Sequence, residues 1–343
     1  MIRTPVILDV DTGIDDALAI LLAVTSPELD VVGVTCVAGN VRLGRVVSNT
    51  LGLLALVDAD HIPVACGAER PLARRLTTAT FFHGENGVGG VQLPTSSRSA
   101  IDEPADAFLT RMASEYEGTL AVVAVGPITN VALACRRDRL FSRNVARLVA
   151  MSGAATVPGN VTPSAEANAY NDPEALAEVI RAFEPHAVEN SRWGGARFTM
   201  VGLDVTMRTL FPAIEHQALA NMVASLGPIA KTAHALLGPY ITADVATGLS
   251  GSPLHDPLAV DVLAHPDVVL TKSARVAVET VGEFTRGATV TNLSGQIQRL
   301  SSSEDVDDCT GLDLVAPNCH VALDVRASDF VTRFRDRLGL STR

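Results

Sequence analysis

Residues 7–23, ILDVDTGIDDALAILLA, place four aspartates within eight positions and then turn apolar without a break. Val6, Ile7 and Leu8 read as the end of a buried strand, and Ala17 to Ala23 as a buried helix. Asp9, Asp11, Asp15 and Asp16 crowd the turn between them. Carboxylates this close repel each other and resist burial unless something positive sits among them.

The same alternation of strand and helix continues outward. DDALAILLAVTS closes at Pro27, and LDVVGVTCVAG leads into a helical pattern over 41–57. LAVVAVG runs through Pro127 into ITNVALACRR, and VARLVAMSGA is another apolar strand. Short β-branched runs that are apolar on both faces and spaced by helices indicate a parallel sheet covered on both sides. Beyond them the pattern predicts a helix from Pro173 to Phe183, a strand FTMVGLDVT, and helices over 215–237 and 256–264. The tail reads as strands (ARVAVETVG, ATVTNL, HVALDVR) before a last helix, ASDFVTRFRDRLG. The expected fold is α/β and Rossmann-like: a doubly wound, mostly parallel sheet with helices on both faces and a β-rich C-terminal extension, forming one domain over 1–343. Two long stretches without periodicity, 72–100 and 153–172, read as binding loops or lids.

The 343 residues are 47% hydrophobic and 19% charged, an ordinary globular balance. A formal net charge of −11 argues against a nucleic acid or an anionic membrane as partner. The five cysteines are odd in number and form no C-x-x-C pair, which fits buried thiols in a reducing compartment rather than a disulfide framework or zinc site. With no signal-peptide pattern and no apolar run of membrane-spanning length, a soluble cytoplasmic protein is expected.

In open parallel sheets, ligands bind beyond the carboxyl ends of the strands. Asp9 to Asp16, Gly39-Asn40, Gly126-Pro127, Ser152-Gly153 and Asp204 all fall at such ends. One aspartate of the opening turn can serve as a helix cap, but capping does not account for four. A hard cation with oxygen ligands, Ca²⁺ or Mg²⁺, would neutralise the crowding, and no nearby thiol or imidazole favours a softer metal. Asp256-Pro257 and Asp172-Pro173 each have the form of a helix start, with Asp at the cap and Pro in the first turn.

DVDTGIDDALAI is similar to the D-x-D-x-G-x-D-D signature of the calcium-dependent nucleoside hydrolases. VAGN at 37–40, VGPITNVA at 125–132, GNVTPSAEANAYNDPEA at 159–175, VGLDVT at 201–206 and HDPLAV at 255–260 follow in that family's order, across essentially the whole chain. The resemblance implies that Asp11, Asp16, Asp256 and the carbonyl of Val125 hold one Ca²⁺, and that Asp11 is the general base for a calcium-bound water. It implies further that Asp15, Asn40, Asn160, Glu166 and Asn168 grip the ribose, with Met151 against the sugar and His83 on the base side. His255 is the candidate acid for the leaving base. The implied substrate is a small-molecule nucleoside, its N-glycosidic bond hydrolysed to base and ribose, and the implied assembly is a homodimer or homotetramer.

Departures from the pattern cluster around the base. Ala167 stands where an aromatic residue is frequent, Met207 replaces a histidine and Asn86 an aspartate. Tyr240 and Trp193 can each stack on a base or serve only in packing, and 189–198 reads as an insertion. Two other readings remain: a non-catalytic nucleoside or ribose sensor on this scaffold, and a phosphatase of the haloacid-dehalogenase type, which DVDTG and the two lysines fit poorly.

Overall fold

The computed structural model describes residues 3–184, 197–294 and 316–341. Trp193, Cys309 and most of the 189–198 stretch lie outside the described residues.

Among the described residues, nine strands form the main sheet: β1 (Thr4–Val10), β2 (Leu29–Cys36), β3 (Val64–Cys66), β4 (Ala121–Ala124), β5 (Arg147–Met151), β6 (Phe198–Val201), β9 (Val269–Val278), β10 (Thr289–Asn292) and β11 (Cys319–Val325). Two more, β7 (Leu210–Pro212) and β8 (Gly251–Pro253), pair antiparallel apart from it. The order is β10-β9-β11-β6-β5-β4-β1-β2-β3. Every pairing from β3 to β11 is parallel, while β9 and β10 add antiparallel at the far edge. This is the doubly wound, mostly parallel sheet with a C-terminal β extension that the sequence predicts.

Both faces are covered because the strands are apolar on both. Along β1, Val6, Leu8 and Val10 pack in one core with the helices Ile14–Thr25 and His255–Ala264, while Ile7 faces a second core with Phe108, Val131 and Val179. From β1 the chain winds outward to β2 and β3, then crosses back to place β4 on the other side of β1. The C-terminal ends of β1 and β4 therefore flank the crevice where the winding reverses, which is where such sheets bind ligands.

Three sequence expectations need correction. FTMVGLDVT is strand only over Phe198–Val201; Leu203–Thr206 coils into a short helix whose Asp204 carboxylate accepts from the amides of Ala155 and Thr156. The helix expected over 215–237 is two, Ala213–Ala220 and Pro228–Ala246, because Gly227-Pro228 breaks the first pattern and starts a second that runs on through Pro239. Asp256 is not a cap: its helix begins at His255 after Leu254, and its side chain is free for other use. Asp172, by contrast, caps the helix Pro173–Phe183 through the amide of Ala175, with Pro173 in the first turn as expected.

Candidate active site

The opening turn is held together by its own carboxylates. Asp16 accepts from the backbone amides of Asp11 and Gly13, each at 2.9 Å, so one of the four aspartates does cap the helix Ile14–Thr25. Asp9 points away: following Ile7 on the strand's alternation, it takes hydrogen bonds from Thr35 Oγ1 at 2.6 Å and Asn130 Nδ2 at 2.8 Å, under the sheet's other face. Asp11 Oδ2 accepts the amide of Asn40 at 2.6 Å. Gly39 and Gly126 leave room for that carboxylate, since a Cβ at Gly39 would collide with it and one at Gly126 would lie 2.9 Å from Oδ1.

Above this turn opens a cavity of about 360 Å³. It is lined by Asp15, Asn40, His83, Val125, Met151, Asn160, Glu166, Asn168, His255 and Asp256, ten of the twelve residues the sequence nominates. The remaining two, Asp11 and Asp16, lie beneath its floor, each hydrogen-bonded by the cavity-lining Asn40. Asp15 Oδ2 accepts the amide of Asp256 at 3.0 Å, across 241 residues of chain. Both long loops contribute: 72–100 brings Phe81, Phe82 and His83, and 153–172 brings Asn160, Val161, Glu166, Ala167 and Asn168.

Glu166 is fully buried and caps its own short helix through the amides of Asn168 and Ala169, while also accepting from Gly153. Asn168 donates to the carbonyls of Val125 at 2.7 Å and Met151 at 3.0 Å, and Asn160 accepts from Ala167. These side chains are thus aimed by backbone contacts before any ligand arrives.

The electrostatics of the floor are unbalanced. Burial raises the pKa of Asp11, Asp15 and Asp256 well above the carboxylate range, and the charge of Asp16 raises all three further. Asp11 Oδ1 and Asp15 Oδ1 are buried with no hydrogen-bond partner. Among the described residues no cationic side chain pairs with the floor carboxylates, and no three His, Cys, Asp or Glu side chains stand close enough to hold a metal ion between them. The donor chemistry still fits a hard cation, because every candidate donor is oxygen and one of them, Asp11 Oδ1, is unsatisfied, with the unsatisfied Asp15 Oδ1 beside it.

Two histidines flank the cavity uncharged. His83 accepts the amide of Ile14 on Nδ1 at 3.1 Å, and burial lowers its pKa to about 4. Nδ1 of His255 shares a 2.7 Å hydrogen bond with Thr206 Oγ1, and burial likewise lowers its pKa to about 4. At neutral pH the His255 imidazole is therefore uncharged and can take part in hydrogen bonds but holds no ready proton, in contrast to the acid expected from its sequence position.

The outer end is apolar. Phe81 is 90% exposed, Met207 37% exposed, and Leu249, Val161 and Ala167 join them. Tyr240 is buried and packs edge-on against Phe82 at 5.3 Å while still lining the cavity. Asn86 lies outside this cavity: its amide ties down Val88, Gly90 and Val91 of the glycine-rich loop. Phe81, Thr206 and Asp244 belong to the site without having been singled out from the sequence. Nothing local marks them, because the helix turn, the bend after β6 and the loop meet only in the fold.

Fold and cavity together define an α/β protein that takes a small polar ligand at the switch point of its sheet. A profile of the inosine-uridine preferring nucleoside hydrolase family matches residues 6–332. The chain is 36% identical over 317 residues to a pyrimidine-specific ribonucleoside hydrolase, RihA, of Shewanella woodyi, covering 91% of this chain and 96% of that one. It is 37% identical over 308 residues to the non-specific ribonucleoside hydrolase RihC of Klebsiella pneumoniae, covering 89% and 94%. Among solved structures, the plant nucleoside hydrolase PpNRh1 superimposes with a TM-score of 0.85 at 30% identity over 98% of this chain and 99% of that one. A purine-preferring ribonucleoside hydrolase from Gardnerella vaginalis does so at 0.82 and 32%, over 98% of each. The chain belongs to the inosine-uridine preferring nucleoside hydrolase family. It is a ribonucleoside hydrolase, an enzyme that cleaves N-glycosidic bonds.

Proposed function

We propose that the protein hydrolyses ribonucleosides to base and ribose with the help of one Ca²⁺, held by Asp11, Asp16, Asp256 and the carbonyl of Val125. The observation that carries this reading is the buried carboxylate floor, with partnerless oxygens on Asp11 and Asp15 and, among the described residues, no positive charge paired with them. When bound, the cation supplies that missing charge and polarises the oxygens around it. Asp11 accepts the proton of the attacking water, its other oxygen being fixed by Asn40. Asp15, Asn40, Asn160, Glu166 and Asn168 orient the ribose hydroxyls and lend negative potential to the cationic ribosyl transition state, with Met151 against the sugar. His83 and His255 face the base, and His255 hydrogen-bonds the leaving group.

The family resemblance supports a cytoplasmic homodimer or homotetramer active in nucleoside salvage, folded as one domain. Among the described residues no helix is long and apolar enough to cross a membrane. Relatives of near-equal similarity are named pyrimidine-specific, non-specific and purine-preferring, so overall identity does not choose the base.

Ribose release from a panel of purine, pyrimidine and nicotinamide ribosides, with EDTA and after Ca²⁺ add-back, tests the reading. Turnover lost in EDTA and restored by Ca²⁺ is the expected result, together with a Ca²⁺-dependent rise in melting temperature. Full turnover in EDTA would remove the metal from the mechanism. Binding of Ca²⁺ and riboside without any ribose release would favour the sensor.

A further inference from the structure

One acidic group at the outer end of the cavity has no task in the scheme above. Asp244 sits one helical turn beyond Tyr240 on the helix Pro228–Ala246 and lines the cavity beside Thr247, Leu249 and Pro253. The hydroxyl of Ser252, itself fully buried, donates to Asp244 Oδ2 and holds the half-buried carboxylate in place. Its Oδ1 has no hydrogen-bond partner, and no basic side chain pairs with it among the described residues. Its charge reaches Asp15 and Tyr240, which places it within electrostatic range of the ribose end. A carboxylate anchored on one oxygen and open on the other is a pure hydrogen-bond acceptor, here in a cavity that Phe81, Phe82, Met207 and Leu249 also line.

We propose that Asp244 reads the nucleobase and selects bases that turn an exocyclic amino group toward it, cytosine and adenine, over those with a carbonyl there, uracil and hypoxanthine. The inference rests on the hydrolase reading: with ribose on the carboxylate floor, the base projects toward the helix that carries Asp244. An amino group donates to Oδ1 and gains a charge-assisted bond. A carbonyl at the same place sets two acceptors face to face, leaving both desolvated and unpaired. The resulting division runs across ring size, amino against carbonyl, rather than between purines and pyrimidines.

The test measures kcat/KM for cytidine, uridine, adenosine and inosine with the full chain in Ca²⁺, for the wild type and for Asp244→Asn, Asp244→Ser and Ser252→Ala. The wild type should prefer cytidine over uridine and adenosine over inosine by about tenfold, the worth of one hydrogen bond to a charged group. Asp244→Asn, whose amide both donates and accepts, should bring both ratios toward unity. Ser252→Ala, which only frees the carboxylate, should shrink them in part. Melting temperatures establish that the variants are folded. Wild-type ratios near unity, or ratios unmoved in the folded variants, overturn the proposal. Calorimetric binding of the same four ribosides reports on Asp244 even without turnover, so loss of the hydrolase reading and loss of this one are seen separately.

Discussion

The floor of the cavity and its rim are built by opposite rules. Floor groups leave the ends of β1 and β4 and the first turns of two helices, and the backbone itself ties them together: Val125 donates its amide to the carbonyl of Asp9, and Asp256 to the carboxylate of Asp15. None of these positions can move without the sheet. The rim comes from an irregular loop, the bend after β6 and the last turn of a long helix, and some of its side chains are largely in solvent. On the proposed reading, chemistry is built into the part of the fold that is tied to the sheet, and base preference into the part that is not.

Asp11→Asn is the hardest test of that division. It should lower kcat by about a thousandfold, the scale of a lost general base, without lowering the melting temperature measured in EDTA, because the amide removes a buried charge. Activity within tenfold of wild type would mean that the floor is not where the reaction occurs. Next is Asn86→Ala, in the loop between the two regions. It should cost about 1–2 kcal/mol in urea unfolding by leaving loop amides unpartnered, with KM for any riboside unchanged. A changed base preference would return Asn86 to the site from which the structure removes it. Smallest is Phe81→Ala on the rim, expected to raise KM about threefold to tenfold through lost stacking, with kcat and melting temperature held. A folding defect there would show that the rim is structural after all.

Much of this was legible beforehand because the signals are local. Period-two and period-3.6 patterns gave most of the strands and the helices around them. The expected boundaries failed where a glycine-proline pair or a short helical turn intervened, at 227–228 and 203–206, and at β9, which starts at Val269 ahead of ARVAVETVG, while β3 and the helix Ala105–Glu115 went unread. The position of Asp9 on the face of Ile7 was also written in the alternation, so its departure from the other three aspartates follows from the strand alone. Asp256 could not be read that way. Asp-Pro ahead of an apolar run has the form of a cap, and only the packing of its helix against Ile14–Thr25 shows the carboxylate left for the cavity.

The sequence by itself determined the parallel sheet, the acidic turn at the end of its first strand and, through spaced motifs, the family. These depend on residues close together in the chain. Only the tertiary structure decided that Asp11 and Asp16 lie under the floor, that Asn86 belongs to a loop and that Asp244 faces the cavity. Each of those outcomes is set by partners from distant segments, Asn40 for the aspartates and Ser252 for Asp244, and by burial, which no local pattern encodes.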